Sequence, residues 1–245
     1  MRVLALDTSS LYGSAALVED DRVLAELTTL GGLNRNEHVL PLIDHLLKQT
    51  GWRLEELDAF GVVRGPGSFM GLRIGLATMK GLSFAHRRPL YAMISLELLA
   101  RGLPAMTRPI CPVLDARKGE IYTGLYQWER DQLVCLEAPA ALSPASWAAC
   151  LPKNSVITGD GAAVLKAVLL PESSQAASDH PMDPNNPGFS FLSASTALPR
   201  ASVLACEITR RQRAGGLELL TETTPLYLRA SEAETKAAAH SARGA

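Results

Sequence analysis

The chain has 245 residues, 47% of them hydrophobic and 20% charged, which is enough apolar material for a substantial core and excludes disorder throughout. Its 24 Lys and Arg against 25 Asp and Glu leave a net charge of −1, which excludes a broadly basic nucleic-acid binder but not a local basic patch. Aromatic residues make up 5%, so platforms for stacking bases are few.

Val3–Leu6 reads as a buried first strand, closed by the polar run Asp7-Thr8-Ser9-Ser10. Its apolar stretch is too short for the core of a signal peptide. Gly13–Val18 and Arg22–Thr28 follow, joined by Glu19-Asp20-Asp21, and predict an antiparallel meander. Val39, Leu42, Ile43, Leu46 and Leu47 recur at three- and four-residue steps and predict an amphipathic helix over Glu37–Thr50, closed by Gly51. Pro41 requires that helix to start just before it or to bend there. A helical turn at Leu54–Leu57, a buried strand at Ala59–Val63, a helix over Gly71–His86 and a strand at Pro89–Ile94 come next. Ser95 is the expected N-cap of a helix over Leu96–Arg101. The order βββ-α-β-α-β-α indicates an α/β layer with a mixed sheet.

The pattern then restarts, with strands at Ile110–Leu114, Glu120–Trp128 and Leu133–Leu136. Leu6-Asp7 and Leu114-Asp115 each end a buried strand before a polar turn and a return strand, 108 residues apart. Internal duplication and coincidence both explain so short a match. Val156–Thr158 is a strand, Ala162–Leu170 and Ala201–Arg213 are helices, and Pro225–Arg229 is a short extended piece. Residues 171–199 read as a surface excursion and 230–245 as a frayed tail. No apolar run reaches the length of a membrane span. Cys111, Cys135, Cys150 and Cys206 form no C-x-x-C pair, so they read as buried free thiols of a reducing cytosol, and a cytoplasmic location is expected.

Asp7 stands where α/β sheets meet ligands and can hold Mg²⁺ through water, or can simply cap its own turn. Gly65-Pro66-Gly67-Ser68-Phe69-Met70-Gly71-Leu72-Arg73 opens a helix and suits an anion, or merely permits a sharp strand-to-helix turn. The loop lacks G-K-[ST], so it is not a Walker loop. Together Asp7, Thr8, Ser9, Gly67 and Ser68 are the candidate anion or nucleotide contacts. Gly71, Gly75, Thr78 and Ala85 give one smooth helix face, for packing on the sheet or against a partner's helix. His38 and His45 lie seven apart and lack the i, i+4 spacing of a helical metal site, and no catalytic triad stands out. The basic runs Arg87-Arg88, Arg117-Lys118 and Arg210-Arg211 with Arg213 read as solvated ends, the last in the final turn of its helix.

Leu4-Ala5-Leu6-Asp7-Thr8-Ser9, Glu37-His38 with Leu40-Pro41-Leu42-Ile43, the glycine loop through Gly75, Lys80-Gly81-Leu82, Val113 through Tyr122, Gly159-Asp160-Gly161-Ala162 and Pro225 with Tyr227-Leu228-Arg229 resemble the bacterial TsaB (YeaZ) family. The motifs run in order over most of positions 1–230. Met70 stands where that family usually has threonine, and Glu172–Leu198 looks like an insertion. The resemblance implies a duplicated actin/Hsp70/sugar-kinase-like α/β fold: an N-terminal subdomain over 1–103, a reduced C-terminal one over 104–230 and a tail over 231–245. It implies a part in forming N6-threonylcarbamoyladenosine at position 37 of tRNAs that read codons beginning with A. The role implied is that of a non-catalytic subunit. The partners implied are a catalytic homologue, TsaD, an ATPase, TsaE, a second copy in a homodimer, and tRNA through the complex. ATP or ADP at the subunit interface is the one cofactor to consider, and no metal is expected. The first-domain helices are the implied contact, placing His45, Leu46, Leu72, Leu76 and Met79 near it. The competing readings are an ATP-dependent phosphotransferase of the same fold, though Ser9 stands in place of the phosphate-turn glycine, and a metallopeptidase, which the missing histidine pair opposes.

Overall fold

The computed structural model describes residues 1–30, 36–170, 188–193, 198–215 and 224–229. Strands β1 (Arg2–Asp7), β2 (Tyr12–Glu19) and β3 (Arg22–Leu30) form the expected meander. Two further strands, β4 (Ala59–Val63) and β5 (Leu90–Met93), extend it in parallel to give the order β3-β2-β1-β4-β5. The second half repeats this plan. Its strands are β6 (Ile110–Arg117), β7 (Glu120–Glu129), β8 (Gln132–Leu142), β9 (Val156–Thr158) and β10 (Ser190–Phe191), in the order β8-β7-β6-β9-β10. Strand for strand, with the same senses, the sheets match, so duplication rather than coincidence explains the paired Leu-Asp strand ends.

Both sheets are covered on both faces, which is why β1 and β4 read as continuous apolar runs. Leu4, Leu6, Leu17, Phe60 and Val62 pack on one face of the first sheet against α1 (Asn36–Thr50) and α2 (Phe69–His86). Its other face meets α6 (Ala201–Arg213) through Ala201, Leu204, Ala205 and Ile208. In the second sheet Ile110, Leu114, Tyr126 and Val156 meet α3 (Ser95–Arg101). Cys111, Val113, Ile121, Leu125 and Ile157 meet α4 (Pro144–Cys150) and α5 (Ala162–Leu169). The halves thus exchange helices: α3 of the first covers the second sheet, and α6 of the second covers the first. Gly61 permits this, because a Cβ there would overlap Ile208 and crowd Leu204.

An ion-pair network fastens the exchanged helices. Glu207 on α6 is 7% exposed and takes bonds from Arg210, from Arg211 and, at 3.2 Å, from Arg101 of α3. Arg211 also reaches Glu97 of α3 at 2.6 Å. Arg211, half-buried between Glu207 and Glu97, is therefore a structural group, while Arg210 pairs with Glu207 from the exposed helix end that its position suggests.

Several boundaries differ from the sequence reading. Helix α2 starts at Phe69, because Ser68 caps it by accepting the Gly71 N–H at 3.2 Å. Ser95 lies inside α3 rather than capping it, and its hydroxyl donates to the Pro66 carbonyl. Pro41 lies inside α1. Strand β8 runs to Leu142, well past Leu136, since the β7 ladder absorbs irregularities near Thr123 and Leu125. Helix α4 is an addition to the expected elements; Ser143 caps it and Pro144 sits in its first turn. Ser190–Phe191, inside the expected excursion, is the edge strand of the second sheet. Residues 171–187, 194–197 and 230–245 lie outside the described residues, and with them most of the apparent insertion and the tail. Cys111 is buried, but Cys135 and Cys150 are exposed, correcting the expectation of four buried thiols. Among the described residues no helix is long and apolar enough to cross a membrane.

Candidate functional site at the junction of the two halves

The ends of β1, β6 and β9 meet where the halves face each other. Asp7 is fully buried at the end of β1. Its Oδ1 accepts the Ser9 N–H at 2.7 Å, and its Oδ2 has no hydrogen-bond partner among the described residues. Burial raises the carboxyl to about 6; the Ser9 hydrogen bonds oppose this, and the Asp160 charge adds to it. Asp160, in the Gly159-Asp160-Gly161 turn, accepts the Asp115 N–H at 3.1 Å and a bond from the Leu11 backbone. One carboxylate thus ties together the two polar turns that the duplication produced. Asp115 turns back on its own loop, accepting the Arg117 N–H at 2.7 Å. Gly159 and Gly161 are required here, because a Cβ on either would overlap the backbone of Val113 or Leu114.

Asp7, Thr8, Ser9, Gly67 and Ser68 do gather, but the Thr8 hydroxyl and the Ser9 and Ser68 N–H groups are engaged within the chain. Thr8 Oγ1 donates to Gly71 O at 2.7 Å, and the Ser68 N–H donates to Ser9 O at 2.6 Å. A Cβ on Gly67 would overlap the Ser9 carbonyl. The glycine loop is folded onto the β1 turn, so its glycines serve close packing first. A Cβ on Gly75 would overlap Thr8 Oγ1, so the smooth face of α2 is seated on its own strand end at Gly75, while Ala85 farther along it is exposed.

A second group surrounds the mouth of this junction. Pro225–Arg229 crosses from one half to the other. The Leu226 N–H donates to Arg64 O at 2.7 Å, and Gly65 leaves room for the Leu226 carbonyl. The Tyr227 ring packs on Phe69 with centroids 4.9 Å apart, and Arg73, stacked 4.0 Å over Phe69, donates to Tyr227 Oη at 3.2 Å. Arg229 reaches Ala116 O and pairs with Glu120 at 3.1 Å. Sequence reasoning placed no role on Phe69, Tyr227 or Arg229; the only signal was their presence in matched motifs.

Of the five expected partner contacts, four lie inside the chain. Leu46, Leu72, Leu76 and Met79 are at most 3% exposed, packed into the chain's own core, so they cannot form a free surface. Their periodicity was the signature of burial against the sheet. His45 is exposed, as is His38. The outward faces of α1 and α2 instead carry Leu40, His45, Met70, Ala77 and Phe84, with Phe84 88% exposed.

A family model described as TsaD: tRNA N6-adenosine threonylcarbamoyltransferase matches residues 32–237. The structure is similar to YeaZ from Pseudomonas aeruginosa, with a TM-score of 0.71 and 26% identity over 92% of this chain and 100% of that one. The chain therefore belongs to the TsaD family and, within it, to TsaB/YeaZ. It is 37% identical over 133 residues to the tRNA threonylcarbamoyladenosine biosynthesis protein TsaB of Bacillus subtilis, covering 54% of this chain and 58% of that protein. The match to the Escherichia coli TsaB is 35% over 130 residues, 52% of this chain and 55% of that protein. The chain thus spans about half the length of these curated TsaB relatives. Proteins described as the transferase itself also match, such as that of Anaeromyxobacter at 32% over 51% of this chain and 43% of that protein. The duplicated actin/Hsp70/sugar-kinase-like fold that TsaB/YeaZ membership implies is the one the two sheets display.

Proposed function

We propose that this chain is a non-catalytic subunit in the formation of N6-threonylcarbamoyladenosine at position 37 of tRNAs reading codons that begin with A. It docks on a TsaD-like catalytic homologue, and a TsaE-like ATPase joins the pair. In this reading residues 1–103 carry the docking surface, and the same surface closes a homodimer when the homologue is absent. The observation that carries it is the outward α1–α2 face: a Phe at 88% exposure, with Met70 at 60% and Leu40 at 56%, is costly on a monomer. Two features of the chain support an inert role. The sequence has no H-x-x-x-H pair, and the Thr8 hydroxyl and the Ser9 and Ser68 N–H groups beside Asp7 are engaged within the chain. The latter also weighs against a phosphotransferase.

The test is reconstitution. The purified chain should co-elute with its catalytic homologue in size-exclusion chromatography. Modified adenosine should form only when both are present with the ATPase, ATP, a preformed activated threonylcarbamoyl donor and tRNA. Modification at full rate without this chain would overturn the reading.

A further inference from the structure

Pro225–Arg229 lies on the surface, yet it is fastened on both sides of the junction. No residue of this strap joins any of the four apolar clusters of the fold, so core burial does not explain why it is held in one place. On the first half the Leu226 N–H bonds Arg64 O, and the Leu226 carbonyl takes the space that a side chain on Gly65 would fill. Tyr227, 41% exposed, lies on Phe69, 37% exposed, and accepts the Arg73 bond. On the second half Arg229 donates to Ala116 O and pairs with Glu120. These side-chain contacts are at least partly exposed and individually weak, so the strap can let go without unfolding either sheet.

The contacts form a closed ring around the mouth. From the strap they run through Arg229 to the β6–β7 turn, from Asp115 to Asp160, and from Asp160 to the Leu11 backbone in the first half. They return through the Ser9–Ser68 bond to the start of α2, where Phe69 meets the strap. The ring passes between the halves twice, at Asp160–Leu11 and at the strap. The network of Glu97, Arg101, Glu207 and Arg211 that fastens α3 to α6 shares no residue with it.

We propose that Pro225–Arg229 is a latch across the mouth of the junction, and that it couples closure of the two halves to the α1–α2 docking face. Phe69 and Arg73 flank Met70, the first exposed apolar residue that α2 gives to that face, so the strap that holds the Phe69 ring orders the turn from which Met70 projects. Latching prepares the face for its partner, and docking in turn tightens the latch, because coupling between two sites is reciprocal. The coupling rests on the proposed subunit role; the latch itself does not.

The experiment follows amide hydrogen exchange, residue by residue, in the full chain alone and with its catalytic homologue. The amides of Leu11 and Asp115 report on the ring, because both donate to Asp160, which the strap does not bond. Arg229→Ala removes contacts to the second half, yet it should speed exchange at Leu11 in the first half roughly tenfold. Tyr227→Ala removes contacts to the first half and should do the same at Asp115 in the second. Tyr227→Phe keeps the ring on Phe69 and should exchange like the wild type. Interior amides of the β1–β2 ladder, such as Leu4 and Leu17, should keep wild-type rates in all three variants, which separates unlatching from a general loss of stability. Unchanged Leu11 and Asp115 in the two alanine variants, or an acceleration that Leu4 and Leu17 share, would overturn the latch. Adding the homologue to the wild type should slow exchange at Leu11 and Asp115, and Arg229→Ala should bind the homologue roughly tenfold more weakly. Equal affinity would overturn the coupling. If the wild-type chain never assembles with the homologue, the subunit role fails and the coupling with it, while exchange in the chain alone still decides the latch.

Discussion

Thr8 Oγ1 occupies the space into which a side chain on Gly75 would project, and the same hydroxyl donates to Gly71 O at 2.7 Å. The first turns of α2 are therefore seated directly on the end of β1. Gly75→Ala should destabilise the chain by about 1–3 kcal/mol, the usual cost of overpacking. Gly81, on the same helix, has open space where its Cβ would be, so Gly81→Ala should stabilise by up to about 1 kcal/mol. Urea denaturation of the two variants checks both signs. Equal effects would contradict the close approach at Thr8.

Asp7 makes stability depend on pH in a defined direction. Its folded value of about 6 lies above the ordinary aspartate value of 3.8, so the folded state holds the proton to higher pH than the unfolded one. The contribution is full below about 4, is lost as pH rises toward 6, and stays lost above it. The total is on the order of 3 kcal/mol. Denaturation midpoints between pH 4 and pH 7 should therefore fall for the wild type more steeply than for Asp7→Asn. A wild-type slope that the substitution leaves intact would place the titrating group elsewhere.

Glu207 acts in the opposite sense. Burial alone would raise its carboxyl, but the Arg210 hydrogen bonds and the charges of Arg101 and Arg211 outweigh this and hold it below the ordinary glutamate value. Its contribution is present above about pH 4.5 and is lost as pH falls through the depressed folded value. Glu207→Gln should cost roughly 2–3 kcal/mol, because Arg101, largely buried, loses a charged partner. Chemical denaturation at pH 7 reads this, and Arg210→Ala, on the exposed side of the network, should cost less.

Phe84 is exposed and contributes little to the isolated chain. Phe84→Glu should leave its thermal midpoint within about a degree or two, since surface changes usually stay within about 0.5 kcal/mol. It should nonetheless abolish association with the catalytic homologue in chromatography. Retained association would move the docking surface away from the α1–α2 face.

The alternation of apolar and polar residues carried most of the fold. Strands buried on both faces read as short apolar runs, and α1 read as a three-four stripe, because those periods follow from backbone geometry alone. The Leu6-Asp7 and Leu114-Asp115 echoes pointed to duplication, and the matched strand orders establish it. Helix α4 was legible through Ser143 and Pro144 but offers only Trp147 as a buried anchor, too little for a period to show. The two-residue β10 has no period at all; only its pairing with β9 makes it a strand.

The sequence by itself determined which residues are apolar, where the chain turns and which family it belongs to. Tertiary structure alone decided which apolar stripe is core and which is surface. Leu72, Leu76 and Met79 mark the same periodic helix as Phe84, but the sheet claims the first three and leaves the fourth outside. It also decided that α3 and α6 change places, and that Tyr227 and Arg229 come to rest beside Arg73 and the Arg117 turn. Local propensity acts over a few residues, whereas these contacts join segments more than a hundred residues apart, and only the closed chain brings them within bonding distance.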